Sequence, residues 1–198
     1  MLYYMKQAIK KPRLIKAVLY KKHIGIIISF RPGDLSAENT SRSPRGGVAI
    51  KKCLNVDEII GYYHQIGRDS FTENKVERWL KAGNDCWMIF DNNIAIGATW
   101  VLFNEFEIPQ LSGRCLAKHK RLSFYPDAGY ICYTFINKEY RGQGLNQLFI
   151  RTIKDYYWNN TTVRRLIAIT GANNVAFIRS SNKNGGSVVG IVEVRNIC

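Results

Sequence analysis

The run Tyr140-Arg141-Gly142-Gln143-Gly144-Leu145 stands between a β-prone stretch, Tyr130 to Ile136, and a helix-prone one, Asn146 to Tyr157. A strand that passes through a glycine turn into a helix brings several backbone N–H groups to one point, where the helix dipole adds positive potential. Glycines at 142 and 144 carry no Cβ and take positive φ at little cost, so the backbone there can approach an anion closely. The order strand, glycine turn, helix therefore predicts a ligand that carries phosphate.

The surroundings of the turn narrow the choice of ligand. A P-loop ends in Gly-Lys-Ser/Thr, whereas Gly144 is followed by Leu145 and Asn146. A dinucleotide fingerprint has three spaced glycines and an acidic residue about 20 positions on, a region held here by Asn159 to Thr162. Downstream, Leu166 to Thr170 reads as a buried strand, and Asn173 to Gly185 as a helix with Asn173 as its cap and Gly185 as its terminator. Upstream, Cys86 to Phe90 and Ile94 to Phe103 flank Asp91-Asn92-Asn93, which predicts a hairpin.

Arg141-x-x-Gly144-x-Asn146, preceded by Asn137-Lys138-Glu139-Tyr140, resembles the acetyl-CoA signature of the GNAT superfamily of N-acetyltransferases, Gln/Arg-x-x-Gly-x-Gly/Ala. Asn173 to Gly185 resembles the family's second cofactor segment, in which an Asn opens a helix beside the pantetheine arm and Lys-x-Gly closes it. The hairpin stands where the family has one, just before the cofactor strand. The resemblance covers about residues 47 to 195. It implies an α/β chain with the GNAT fold, a mixed central sheet splayed around acetyl-CoA, with a basic N-terminal extension. It implies backbone contacts from Phe135 and Ile136 to pantetheine. The amides of Arg141, Gly142, Gln143, Gly144, Leu145 and Asn146 would meet the pyrophosphate, and the Asn173 side chain would reach the cofactor. The acceptor amine would attack the thioester directly, with no acyl-enzyme and no metal.

Three positions depart from the family. Asn146 stands where Gly or Ala is usual. Many members place a Glu nine residues before the signature Arg, where this chain has Cys132. Many also carry a Tyr on the second helix that protonates the departing thiolate, and Ser180 or Ser181 falls there. Candidate catalytic bases are then Asp127, Glu105 and Glu107. The two glutamates stand two apart and would share one strand face, and are equally read as solvated surface carboxylates. Asp127 is equally a turn residue after Pro126. Tyr130 and Tyr133 read as core aromatics. Cys132 would serve as a nucleophile only with a nearby base and a depressed pKa.

The 198 residues suit one domain, residues 47–198, behind an extension at 1–46 made of a basic helix, a short strand and a linker. The apolar run Ile24 to Phe30 is far short of the roughly 20 residues of a membrane-spanning helix and reads as a strand. The first 23 residues are basic and show no cleavage site behind a long apolar core, so a cytoplasmic location is expected. Cysteines at 53, 86, 115, 132 and 198 form no Cys-x-x-Cys, and His23, His64 and His119 are scattered, which argues against zinc.

Lysine and arginine number 29 against 15 acidic residues, a formal charge of +14. One molecule of CoA does not account for it, and nucleic acid, anionic lipid or a phosphorylated acceptor are the polyanions it would suit. From Arg13 on, Leu14, Val18 and Leu19 recur at helical spacing between lysines. Such a helix lies either on an anionic membrane surface, peripheral at its inner face, or on the domain's own core. The expected activity is acetyl transfer from acetyl-CoA to an amine, with an amino sugar on an anionic carrier as one acceptor class. The N-terminal layout, with its Asp34-Leu35-Ser36 turn, also resembles GNAT-like proteins associated with bacterial polysaccharide biosynthesis. The alternative is a GNAT-derived module that binds CoA, RNA or a membrane without turnover. Loss of the strand carboxylate and the helix Tyr would suit it, although no RNA-binding signature is present. The sequence leaves the oligomeric state open.

Overall fold

The computed structural model of the chain describes residues 20–33, 47–68, 71–103, 105–107, 121–123 and 126–197. The basic helix expected from Arg13 on, most of the linker, and Cys115 and Cys198 lie outside the described residues. The elements run β1 (Tyr20–Phe30), β2 (Val48–Cys53), α1 (Val56–Gln65), α2 (Glu73–Lys81), β3 (Asp85–Asp91), β4 (Ile94–Phe103), β5 (Glu105–Glu107) and β6 (Arg121–Ser123). β7 (Ala128–Ile136), α3 (Leu145–Asn160), β8 (Arg165–Gly171), α4 (Val175–Lys183) and β9 (Ser187–Ile197) complete the chain.

Seven strands form one mixed sheet in the order β2-β3-β4-β7-β8-β1-β9. Among its pairs only β7 with β8 is parallel. Local chemistry explains several of the elements. The β3–β4 turn places Asn92 and Asn93 at φ of 47° and 68°, the geometry of a two-residue hairpin, and asparagine tolerates positive φ better than most residues. Asn55 caps α1 by accepting from the Glu58 amide at 3.0 Å, with Asp57 and Glu58 in the first turn to meet the dipole.

Side chains along β3 alternate between two cores. Cys86, Met88 and Phe90 face Ile59, Tyr63 and Val76 of α1 and α2, while Trp87 and Ile89 face Phe149, Ile150, Ile153 and Tyr157 of α3. One buried ring nitrogen in each core finds a hydroxyl partner. Trp100 Nε1 donates to the Tyr63 hydroxyl at 2.8 Å, and Trp87 Nε1 donates to the Tyr157 hydroxyl, which itself donates to Asp85.

The strand expected within the extension is an interior strand of the sheet. β1 spans eleven residues, four more at its start than the run Ile24 to Phe30, and pairs antiparallel with β8 on one side and β9 on the other. Ile28 and Phe30 are fully buried. Gly186 permits the close fit, since a Cβ there would stand 2.5 Å from the Phe30 ring. The stretch from Asn104 to Asp127 contains a short antiparallel pair in which Glu105 faces Ser123 and Glu107 faces Arg121.

Candidate functional site

β7 and β8 are paired only from Ala128↔Arg165 to Ile131↔Ala168. Beyond that point β7 stays with β4 as far as Ile136↔Gly97, and β8 stays with β1 as far as Gly171↔Gly25. On β7, Tyr133 and Thr134 together lie opposite the single residue Thr99, and Tyr133 takes φ of 52°. This is a bulge, which bends a strand and ends regular pairing. The Thr99 hydroxyl fastens it, donating to the Cys132 carbonyl at 3.0 Å and lying 2.7 Å from the Thr134 hydroxyl.

A cleft of about 560 Å³ opens where this pairing ends. β7 lines it with Thr134, Phe135 and Ile136, and the following turn and α3 with Tyr140, Arg141, Gly142, Gly144, Leu145, Asn146 and Gln147. α4 and its cap add Asn174, Ala176, Phe177, Arg179, Ser180 and Lys183, and the turn after α1 adds Arg68. Four of the described lining residues are cationic and none of them is acidic.

The glycine turn forms an open cradle at the start of α3. Gly142 and Gly144 take φ of 77° and 79°, and the Gly144 carbonyl accepts from the amides of Gln147 and Leu148 at 3.0 and 3.1 Å. No acceptor among the described residues takes the amides of Gly142, Gly144, Leu145 or Asn146. Buried or ligand-facing amides seek a partner, and a helix N-terminus offers such groups to anions. Arg141 braces the turn, donating from Nε to the Ile136 carbonyl at 2.9 Å. Its guanidinium lies 5.7 Å from the centre of the Phe135 ring, and that of Arg68 only 4.1 Å from the same ring.

Seven of the expected cofactor residues line this cleft: Phe135, Ile136, Arg141, Gly142, Gly144, Leu145 and Asn146. Gln143 does not, and its side chain donates to the Glu139 carbonyl at 3.2 Å. The cap of α4 is Asn174 rather than Asn173. Asn174 accepts from the Phe177 amide at 3.3 Å and donates to Thr170 Oγ1 at 2.9 Å, so the end of β8 chooses which of two successive asparagines caps the helix. Asn174 lines the cleft and Asn173 does not. Asn146 donates across to Ser180 Oγ at 2.9 Å, joining α3 to α4. Ser181 is wholly buried, and its hydroxyl finds no partner among the described residues.

Of the expected catalytic carboxylates, Asp127 does not line the cleft. Asp127 precedes β7, roughly 20 Å along the strand from Thr134, where its carbonyl accepts from the amides of Arg164 and Arg165 at 2.8 and 3.2 Å. Glu105 and Glu107 lie on β5, and their side chains fall outside the described residues. Burial pushes the Cys132 thiol well above its usual range despite the nearby Lys75 cation, so it stays protonated and is a poor nucleophile. Burial likewise pushes the Tyr130 phenol upward. Among the described residues no cluster of three or more His, Cys, Asp or Glu is placed to hold a metal ion.

Sequence reasoning missed Arg68 and Arg179 as lining groups, and placed Ser180 and Lys183 only within the second cofactor segment. The last three follow from helical spacing once α4 is placed, because positions 176, 179, 180 and 183 share one face. Arg68 has no local signal, since only the packing of the α1–α2 turn brings it to Phe135.

The acetyltransferase (GNAT) family model matches residues 55–185, from the cap of α1 through Gly185 behind α4. No curated protein sequence matches the chain. Solved structures that resemble it include a GCN5-related N-acetyltransferase from Kribbella flavida, at TM-score 0.58 and 10% identity, covering 94% of this chain and 63% of that one. A GCN5-related N-acetyltransferase from Sphaerobacter thermophilus aligns at TM-score 0.59 and 12% identity, covering 94% of this chain and 55% of that one. RimL, a ribosomal L7/L12 alpha-N-protein acetyltransferase in complex with coenzyme A, aligns at TM-score 0.53 and 10% identity, covering 77% of this chain and 95% of that one. The chain thus spans less than two thirds of the first two relatives, and at these identities the likeness is one of fold. With the family model covering most of its length, the chain belongs to the GNAT family of acetyltransferases.

Proposed function

We propose that this protein is an acetyl-CoA-dependent N-acetyltransferase that passes acetyl directly to an amine acceptor. The carrying observation is the set of unaccepted amides at the start of α3, set in a cleft whose described lining has four cations and no carboxylate. Acetyl-CoA fits such a donor set, because its pyrophosphate can accept from converging amides and the cations offset its charge. When bound it supplies an activated thioester. The chain's own part is then binding and orientation. The amides of residues 142 to 146 hold the pyrophosphate, and β7 offers backbone groups from Phe135 and Ile136, where pairing with β8 has lapsed.

No enzyme nucleophile is required, in keeping with the buried, protonated thiol of Cys132. Deprotonation of the acceptor falls to water or to a carboxylate from the acceptor side, where Glu105 and Glu107 are the candidates and Asp127 is the more remote one. The formal charge of +14 supports an anionic acceptor, such as an amino sugar on a phosphorylated carrier of the kind used in bacterial polysaccharide biosynthesis. It equally supports cytoplasmic work beside an anionic membrane surface, with residues 1–19 as the contact.

One observation favours a second reading, a CoA-binding module without turnover. Among the described residues the cleft lining has no carboxylate to act as base, and serines stand where a helix Tyr would protonate the thiolate. Calorimetry with acetyl-CoA and CoA at two salt concentrations, with NADH and ATP as controls, tests the cofactor assignment. A following assay of acetyl consumption over a panel of amines, amino sugars first, separates the two readings. Salt-resistant, CoA-selective binding with turnover is the expected result. Selective binding without turnover on any amine would favour the module, and weak binding that vanishes with salt would refute both.

A further inference from the structure

We propose that Cys53 and Cys86 form a dithiol site that closes to a cross-strand disulfide by exchange with a disulfide oxidant, fastening the end of β2 to β3. The inference stands apart from the acetyl-CoA reading, since neither residue lines the cleft.

Register places the two thiols together. β2 and β3 run antiparallel, and Cys53 is the direct partner of Cys86. Opposed residues of such a pair project from the same face of the sheet, and both cysteines belong to the core beneath α1 and α2. Both are free thiols. Directly opposed antiparallel residues hold their Cα atoms about 4.5–5.5 Å apart, within the roughly 4.4–6.8 Å that a disulfide spans. Their Cβ atoms stand about 4.5–5.5 Å apart against roughly 3.5–4.5 Å in a disulfide, so closure asks for a shift of about 1 Å. Burial first, and the Cys53 sulfur next, push the Cys86 thiol up, which places the two sulfurs within electrostatic reach of each other.

The same row of the sheet makes the pairing selective. Trp100 is the partner of Cys86 on its other side, and Cys132 is the partner of Trp100, so an indole separates the third buried cysteine from the pair. Cys132 stands two strand spacings from Cys86, about 9.5 Å, beyond the roughly 7 Å limit for a bridge.

The position of Cys53 gives the pair a way to react. It is the last residue of β2, an edge strand, and is 6% exposed where Cys86 is 0%. A strand end at a sheet edge opens at low free energy, so Cys53 meets the oxidant first. Its thiolate attacks one sulfur of oxidised glutathione, forming a mixed disulfide and expelling one glutathione thiolate. The Cys86 thiolate then attacks the Cys53 sulfur and expels the second. Two protein thiols are oxidised, one glutathione disulfide is reduced, and the two thiol protons pass to the two glutathiones. Burial pushes the Cys53 thiol up to about 11, so exchange quickens with pH as the thiolate fraction grows. The closed bond encloses residues 54–85, with α1 and α2 among them.

The test treats the reduced, folded full chain with oxidised glutathione at about pH 7 and about pH 9, then alkylates it and maps its peptides by mass. Mapping keeps the pair distinct from Cys115 and Cys198. Wild type and Cys132→Ala should both give a peptide pair joined through Cys53 and Cys86, formed faster at the higher pH and opened by dithiothreitol. The oxidised form should melt about 5 °C or more above the reduced one, because the bond constrains the unfolded chain. Cys53→Ala, checked for folding by its melting transition, should lose both the link to Cys86 and the rise in melting temperature. Free thiols at both positions after overnight exchange at the higher pH, in a folded chain whose thiols do exchange in urea, would overturn the proposal. A bridge from either cysteine to Cys132, or glutathione left on Cys53 as a lasting mixed disulfide, would overturn it equally.

Discussion

Replacing Gly144 by Glu places a carboxylate in the cradle. The backbone there has φ of 79°, and an added Cβ would meet only Gln147 Oε1, at 3.7 Å, so the cost to folding is that of a non-glycine residue in the left-handed region, about 1–2 kcal/mol. The cost to binding is larger. A carboxylate roughly 5 Å from a phosphate, at an effective dielectric of about 20, is repelled by about 3 kcal/mol, or roughly two orders of magnitude in Kd. Gly144→Ala carries the same backbone strain without the charge and isolates the electrostatic part. Acetyl-CoA affinity by calorimetry, beside the melting temperature of each variant, reads both quantities. The expected pattern is similar melting temperatures for Ala and Glu with a large difference in Kd. If the folded Glu variant binds within about threefold of the Ala variant, well under 1 kcal/mol, the cradle is not where the phosphates lie.

Tyr63→Phe leaves the buried Trp100 Nε1 without its acceptor and should lower stability by about 1–3 kcal/mol in urea unfolding; an unchanged midpoint would mean that water replaces the hydroxyl. Burial pushes the Cys53 thiol from its ordinary 9.0 up to about 11, and those of Cys86 and Cys132 upward as well. The folded chain holds these protons longer than the unfolded one, so stability is intact below the ordinary thiol value and declines as pH rises from there through the raised values. Melting temperatures measured between about pH 8 and 10.5 should fall with pH, more shallowly in Cys53→Ala, and a flat profile would contradict this. Removing residues 1–19 should weaken attachment to anionic vesicles while sparing β1, which begins at Tyr20; equal binding by the shortened chain would show that other surface holds the lipid.

Local chemistry made much of the fold legible. Two asparagines at positive φ, an Asn followed by Asp and Glu, and a glycine turn after a β-prone run each leave a signature within a few residues. Partnership is different. The run from Ile24 to Phe30 has the composition of a buried strand, but its neighbours are residues 166–171 and 187–193, and nothing nearby in the sequence says so. An extension and an interior strand present the same apolar run. The bulge at Tyr133 was equally hidden, since no glycine marks it and its cause is the register against Thr99 on another strand.

The site divides along the same line. Its backbone part, the cradle, was legible because glycine and helix order dictate it. Its side-chain part was not, because Arg68, Arg179 and Lys183 reach the cleft through the packing of α1 and α4. The departures from the family pattern show the difference most clearly. Read separately, Asn146 is an oversized residue in a tight turn, and Ser180 is one of two serines either of which falls where the resembled pattern has a phenol. In the fold they are one contact of 2.9 Å. A hydroxyl at the tip of a tyrosine would lie several ångströms further from the helix and could not accept from Asn146 in this place. The long amide on α3 and the short hydroxyl on α4 therefore depend on each other. Two residues that look unrelated in the sequence thus form a single bond between two helices.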